Sequence, residues 1–152
     1  MTPRTTKKMP AIVKDYKTEE DILNLIEGFK TRTLPAAQWT HEAHLITGLW
    51  LIITIPSWRL FVLRSGIISY NISSGGENTS EKGCHETLTL FWCRTLNTFV
   101  KKNEGPSLVD LCDKFLKSKW SSKELPLVYY SREVLFSLQA RSTWVAPNLQ
   151  NL

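Results

Sequence analysis

Apolar stretches alternate along the chain with short polar breaks, and the spacing inside the stretches is helical. In "TEEDILNLIEGFK", residues 18–30, Thr18 is followed by three acids, which suit the positive end of a helix dipole. Ile22, Leu23, Leu25 and Ile26 then form an apolar stripe ending near Gly28, the pattern of an amphipathic helix. "TRTLPAAQW", residues 31–39, is a connector, because a proline disfavours helix in the residue before it. Thr40 is the expected N-cap of a second helix. Residues 43–55 are apolar on nearly every side and end at Pro56, which predicts a helix enclosed by its neighbours.

A third helix is expected over 57–72, "SWRLFVLRSGIISYNI", although its β-branched end also suits a strand. "SSGGENTSEKG", 73–83, is a polar, glycine-rich loop. In the fourth helix, 84–102, Leu88, Trp92, Leu96 and Phe99 recur at helical spacing, and the stripe extended backwards lands on His85. A fifth helix is expected at about 107–118, after Pro106. Ser131 should cap a short helix running to about residue 140, followed by an extended tail containing Pro147. No stretch combines a strand pattern with sound turn chemistry. The expected fold is all-α, a single-domain bundle of five to six helices with the second buried at its centre. Residues 1–17 are expected to be a flexible basic tail and 18–152 the helical domain.

Composition sharpens this picture. A chain of 152 residues, 42% hydrophobic and 22% charged, has the balance of one folded core. The net charge of +5 hints at nucleic acid. Yet Arg4, Lys7, Lys8, Lys14 and Lys17 against Asp15 give residues 1–18 a net of +4, leaving about +1 for the rest. Nucleic-acid binding needs a basic stripe on the folded surface, so this distribution argues against such a partner. Three cysteines, without a CxxC spacing, argue against a disulfide framework and for a reducing interior. The start lacks the apolar core of a signal peptide. The most apolar run, 45–55, has eleven residues, short of the roughly 18 that a bilayer span needs. A cytoplasmic location without a membrane partner is the expectation.

The candidate chemistry is histidine. His41 and His44 stand three residues apart at the start of the second helix, and His85 and Glu86 open the fourth. Two helix starts can bring three imidazoles together, and neutral imidazole is a good ligand for transition metals. Three protein ligands with one open position make a site that acidifies water. On this reading His41, His44 and His85 bind one divalent metal, Zn or Fe, and His85 and Glu86 are the catalytic candidates for a hydrolytic reaction. "HEAH" does not have the spacing of HExxH. Two other readings stand beside it. The histidines serve metal-free acid–base work, or they pack and hydrogen-bond, with one stacking on Trp39 and His85 satisfied in the core. Trp39, Thr40, Tyr130 and Arg141 are expected to line the pocket. Cys84 reads as a structural cysteine, and "SSGGENTS" lacks the GxxxxGK[ST] phosphate loop. The partner to expect is a small-molecule ligand; the alternative to a metal-dependent hydrolase is a non-catalytic domain binding a ligand or a protein.

"TLPAAQWTHEAHLITGLWLI", "GCHETLTLFW" and "YYSREVLFSLQARSTWVAPNL" resemble the signature blocks of a family of small bacterial proteins usually described as hypothetical. The resemblance spans most of residues 28–149 and rests on Trp39, Thr40, His41, His44, Leu45, His85, Glu86, Thr87, Tyr130, Ser131, Arg141, Trp144 and Pro147. Cys84 stands where the family carries an aromatic residue. The resemblance implies a grouping and no mechanism. As a fold analogy alone, the pattern resembles the DinB-like helical bundles, which hold a metal through three histidines at a different spacing.

Overall fold

The structure, a computed structural model, describes residues 16–55, 63, 66–68, 70, 78–79 and 82–152. Helix α1 (Glu19–Lys30) starts as its polar prefix dictates. Thr18 Oγ1 accepts the Asp21 N–H and the Asp21 carboxylate accepts the Thr18 N–H, a reciprocal capping box. Its stripe of Ile22, Leu25, Ile26 and Phe29 is buried. Helix α2 (His41–Thr54) is capped by Thr40, whose Oγ1 accepts the Ala43 N–H. Leu45, Ile46, Leu49 and Leu51 of α2 are each at most 2% exposed, a burial worth about 1.5–3 kcal/mol per side chain. Thr47, buried among them, donates its hydroxyl to the Ala43 carbonyl and leaves no orphan donor.

Helix α3 (Glu86–Lys102) packs along α2, and α4 (Leu108–Leu116), capped by Ser107, closes the core against α1 and α2. The α2–α3 approach is close at Gly48, where a Cβ would sit 2.6 Å from Leu96 Cδ1. Residues 63, 66–68 and 70 are helical, in agreement with a third helix. The rest of 57–72, most of the 73–83 loop and the tail through residue 15 lie outside the described residues. Tyr16, expected in that tail, packs against the core.

Among the described residues there is no strand, and the fold is all-α. Beyond residue 120 the helices are shorter and more numerous than expected. Pro126 opens α5 (Pro126–Tyr129), Ser131 caps α6 (Arg132–Leu135) and Ser137 caps α7 (Leu138–Ser142). The physical reason is chemical punctuation. Each serine hydroxyl accepts a backbone N–H three residues on, so Ser137 starts a new helix where one continuous helix was expected. The chain after α7 contains no further helix; it leaves α7 through an extended Thr143 and bends over 148–150. Buried Thr87 holds it to α3 by donating to the Thr143 carbonyl at 2.8 Å and accepting the Val145 N–H at 3.2 Å.

Candidate functional site

Two helical stripes face each other across a gap. On α2 the stripe is His41, His44, Leu45 and Gly48; on α3 and its cap it is His85, Leu88, Thr89, Trp92, Cys93 and Leu96. Both follow the three-and-four spacing that lines one helix face. Between them lies a cavity of about 360 Å³, closed further by Leu63, Ile67, Gly83, Cys84 and Lys123. Asn78 fixes Cys84 at the rim by accepting its N–H, and donates to the Ile68 carbonyl. The three histidines expected to meet do line one cavity.

Their hydrogen bonds decide what each can do. His41 Nε2 donates to the Ser121 carbonyl at 2.8 Å, and its ring lies edge-on to Trp92 with centroids 5.1 Å apart. His44 Nδ1 donates to the Thr40 carbonyl at 2.6 Å, and its ring sits on Trp39 with centroids 3.9 Å apart. His85 uses both nitrogens. Its Nδ1 accepts the Leu88 N–H at 3.1 Å, capping α3, so the ring is neutral and the proton resides on Nε2, which donates to the Leu135 carbonyl at 2.8 Å. His85 therefore caps the helix rather than continuing its apolar face from within the first turn.

A ligating nitrogen needs its lone pair. His85 has none to offer, because one nitrogen carries the proton and the other holds the cap. Among the described residues no group of three His, Cys, Asp or Glu is placed to hold a metal ion. The three-histidine ligand set expected from the sequence is thus not assembled, and the arrangement matches the packing and hydrogen-bonding reading of the same residues. Glu86, the other catalytic candidate, lies in the first turn of α3 and is half-buried, outside the cavity lining.

The expected pocket residues are displaced from the cavity for identifiable reasons. Trp39 stacks between Phe29 and His44, behind the wall. Thr40 serves as cap and carbonyl partner. Tyr130 is fully buried beside Phe91 and Leu135, its hydroxyl donating to the Val145 carbonyl at 2.6 Å. Arg141 donates to the Gly83 carbonyl at 3.1 Å and so pins the rim. Sequence reasoning missed Lys123 and the Ser121 carbonyl, which no local pattern marks. It read Leu88, Trp92 and Leu96 as core stripe only, although they form the cavity wall.

The electrostatics favour neutral rings. Burial lowers the His85 pKa from its ordinary 6.5, opposed by the Leu135 bond and assisted by the Arg141 charge. Crowding by protein atoms likewise lowers His44, against the pull of its bond to Thr40. The His44 side chain is open to solvent at one edge, which keeps part of its hydration and moderates that drop. Both folded-state values lie below the unfolded one, so the unfolded chain binds these protons more readily. Stability is then full above about pH 6.5 and falls as pH drops below it. Urea unfolding at about pH 7.5, 6.5 and 5.5 should show this decline, and in His85→Asn the decline should be shallower. An equal slope in both proteins would remove His85 as a source of it.

Buried Cys112 lies outside the cavity, its thiol pushed up to about 12 by burial, and no disulfide forms among the described residues. No described helix is long and apolar enough to cross a membrane. No protein-family model, curated protein or solved structure matches the chain.

Proposed function

We propose that this chain is a small-molecule-binding helical domain whose ligand occupies the cavity between α2 and α3. The ligand is mostly apolar and carries one hydrogen-bond donor. The volume of about 360 Å³ falls within the range of small-ligand pockets. Leu45, Leu63, Ile67, Leu88, Trp92 and Leu96 supply apolar walls. One observation carries the reading: the His44 ring on this wall has its Nδ1 committed as donor to the Thr40 carbonyl at 2.6 Å, and burial lowers its pKa further from the ordinary 6.5. Its Nε2 is then an acceptor, and no partner for it occurs among the described residues. A few fixed polar groups in an apolar pocket are what orient a small ligand. Metal-assisted hydrolysis draws no support from this donor set.

Phenol and toluene, nearly equal in size and differing in the donor, test the reading. We expect phenol to shift the His44 ring nitrogen resonances saturably in the millimolar range, and toluene to bind at least about fivefold more weakly. His44→Leu should erase the difference. Gly48→Ala, which adds a methyl to the cavity lining 2.6 Å from Leu96 Cδ1 and so displaces that side chain, should weaken phenol while leaving the fold intact. Absence of any saturable shift with phenol, or equal affinity for toluene, would overturn the proposal.

A further inference from the structure

A second cleft lies on another face of α3. Arg94, Thr98 and Lys102 recur at four-residue spacing, which stacks them in one row along the helix. The row faces Trp120, from the 3-10 turn Lys119–Ser121, and Tyr129, the last residue of α5. The cleft between them has a volume of about 450 Å³. Its residues share none with the histidine cavity.

Two features point to its occupant. The first is charge without an ion pair: no Asp or Glu lines the cleft, and although Leu152, the last residue, lies in the same lining, among the described residues neither Arg94 nor Lys102 is paired with it or with any other carboxylate. Arg94 is instead held over the Trp144 ring, 5.2 Å from its centroid, a cation–π contact that fixes the guanidinium in place and leaves its donors uncommitted. Thr98 offers a hydroxyl with no partner among the described residues. The second is flat apolar surface. Trp120 is 36% exposed, with the Lys119 ammonium 4.8 Å from its ring centroid on one face, and Tyr129 and Phe99 contribute rings to the same cleft. Aromatic faces beside unpaired cations select a planar ring carrying an anion, because stacking holds the ring and charge-assisted hydrogen bonds hold the acid group.

We propose that this cleft binds an aromatic anion, a planar ring system bearing a carboxylate or phosphate, with the acid group on the Arg94–Thr98–Lys102 row and the ring against Trp120 and Tyr129. The shared chemistry is the aromatic anion, and paired probes separate its two forms. Titrations of 2-naphthoate, 1-naphthyl phosphate and uncharged 2-naphthol should be followed by NMR at the Trp120 indole N–H, which the histidine cavity does not share. Saturable shifts are expected for both anions, with 2-naphthol at least about tenfold weaker and the anion affinities falling as salt rises. Tighter binding of the phosphate would assign the doubly charged form, tighter binding of the carboxylate the singly charged one. Arg94→Gln with Lys102→Gln should lower anion affinity about tenfold and leave 2-naphthol unchanged. Both positions are solvent-exposed, so that variant should keep its fold, with its circular dichroism as the check. Trp120→Ala should weaken all three compounds. The proposal fails if neither anion shifts Trp120 saturably, if 2-naphthol binds as tightly, or if the double variant binds the anions like the parent.

Discussion

Replacing His85 with alanine is expected to cost about 2–4 kcal/mol of stability and roughly 5–15 °C in Tm. Two losses add. The Leu88 N–H loses the Nδ1 that caps α3, a deletion worth about 1 kcal/mol at a typical helix start. The Leu135 carbonyl loses its Nε2–H partner in a site where the ring is only 6% exposed, and a stranded buried acceptor costs about 1–3 kcal/mol more. The ring joins the start of α3 to the end of α6, fifty positions apart in sequence, so the two regions should loosen together. His85→Asn separates the terms. Asparagine caps well but is too short to replace the Nε2–H bond, and it should recover about 1 kcal/mol. Chemical denaturation of the three proteins measures both steps. A loss below about 0.5 kcal/mol in the alanine variant would mean that the ring is not a structural tie, and would return His85 to the list of residues free to act on a ligand.

That experiment also bears on how far the sequence could be read. Thr40 was legible as a cap because N-capping depends on residues three positions apart, and α2 begins where that residue places it. The starts of α1 and α4 were legible from the acids after Thr18 and from Pro106, while the caps Thr18 and Ser107 that set them emerge only in the structure. The meeting of the three histidines at one cavity was legible for the same reason: both helix starts are locally determined, and α2 is apolar enough to be central. The role of each ring was not. His41 bonds a carbonyl eighty residues away and His85 one fifty residues away, and backbone carbonyls leave no mark in a sequence. A histidine whose partners are carbonyls and a histidine poised for a metal look alike until the chain is folded. The misplacement of Tyr130 and Arg141 has a similar origin. Their polarity suggests a pocket, whereas the hydroxyl of Tyr130 is spent on Val145 and the guanidinium of Arg141 on Gly83. The run after Ser131 was read as one helix because its apolar spacing persists through residue 140, while Ser137 competes locally as a new cap and wins.

Thr87→Val should have the second large effect, about 2–4 kcal/mol, although it conserves shape. Thr87 is fully buried. Its hydroxyl donates to the Thr143 carbonyl and accepts the Val145 N–H, so a single side chain substitutes for a missing backbone partner on an extended segment. Valine leaves both of these part-buried groups without that partner. The Val145 carbonyl, which accepts the Tyr130 hydroxyl at 2.6 Å, moves with them, so the disturbance should spread to Tyr130 and the Phe91 cluster around it. The histidine cavity should be reached last, through Arg141, which ties α7 to the rim at Gly83. Amide exchange distinguishes local from general loosening. The buried amides of α2 should quicken by about tenfold for each 1.4 kcal/mol of global stability lost, hence roughly 30- to 700-fold, and Val145, which also loses its own partner, should quicken by more than they do. Thr87→Ser, which keeps the hydroxyl and removes one methyl, should cost only about 1 kcal/mol and preserve slow exchange at Val145. Should valine prove as stable as threonine, with Val145 still protected, the tail would be held by its apolar contacts instead of by this hydroxyl.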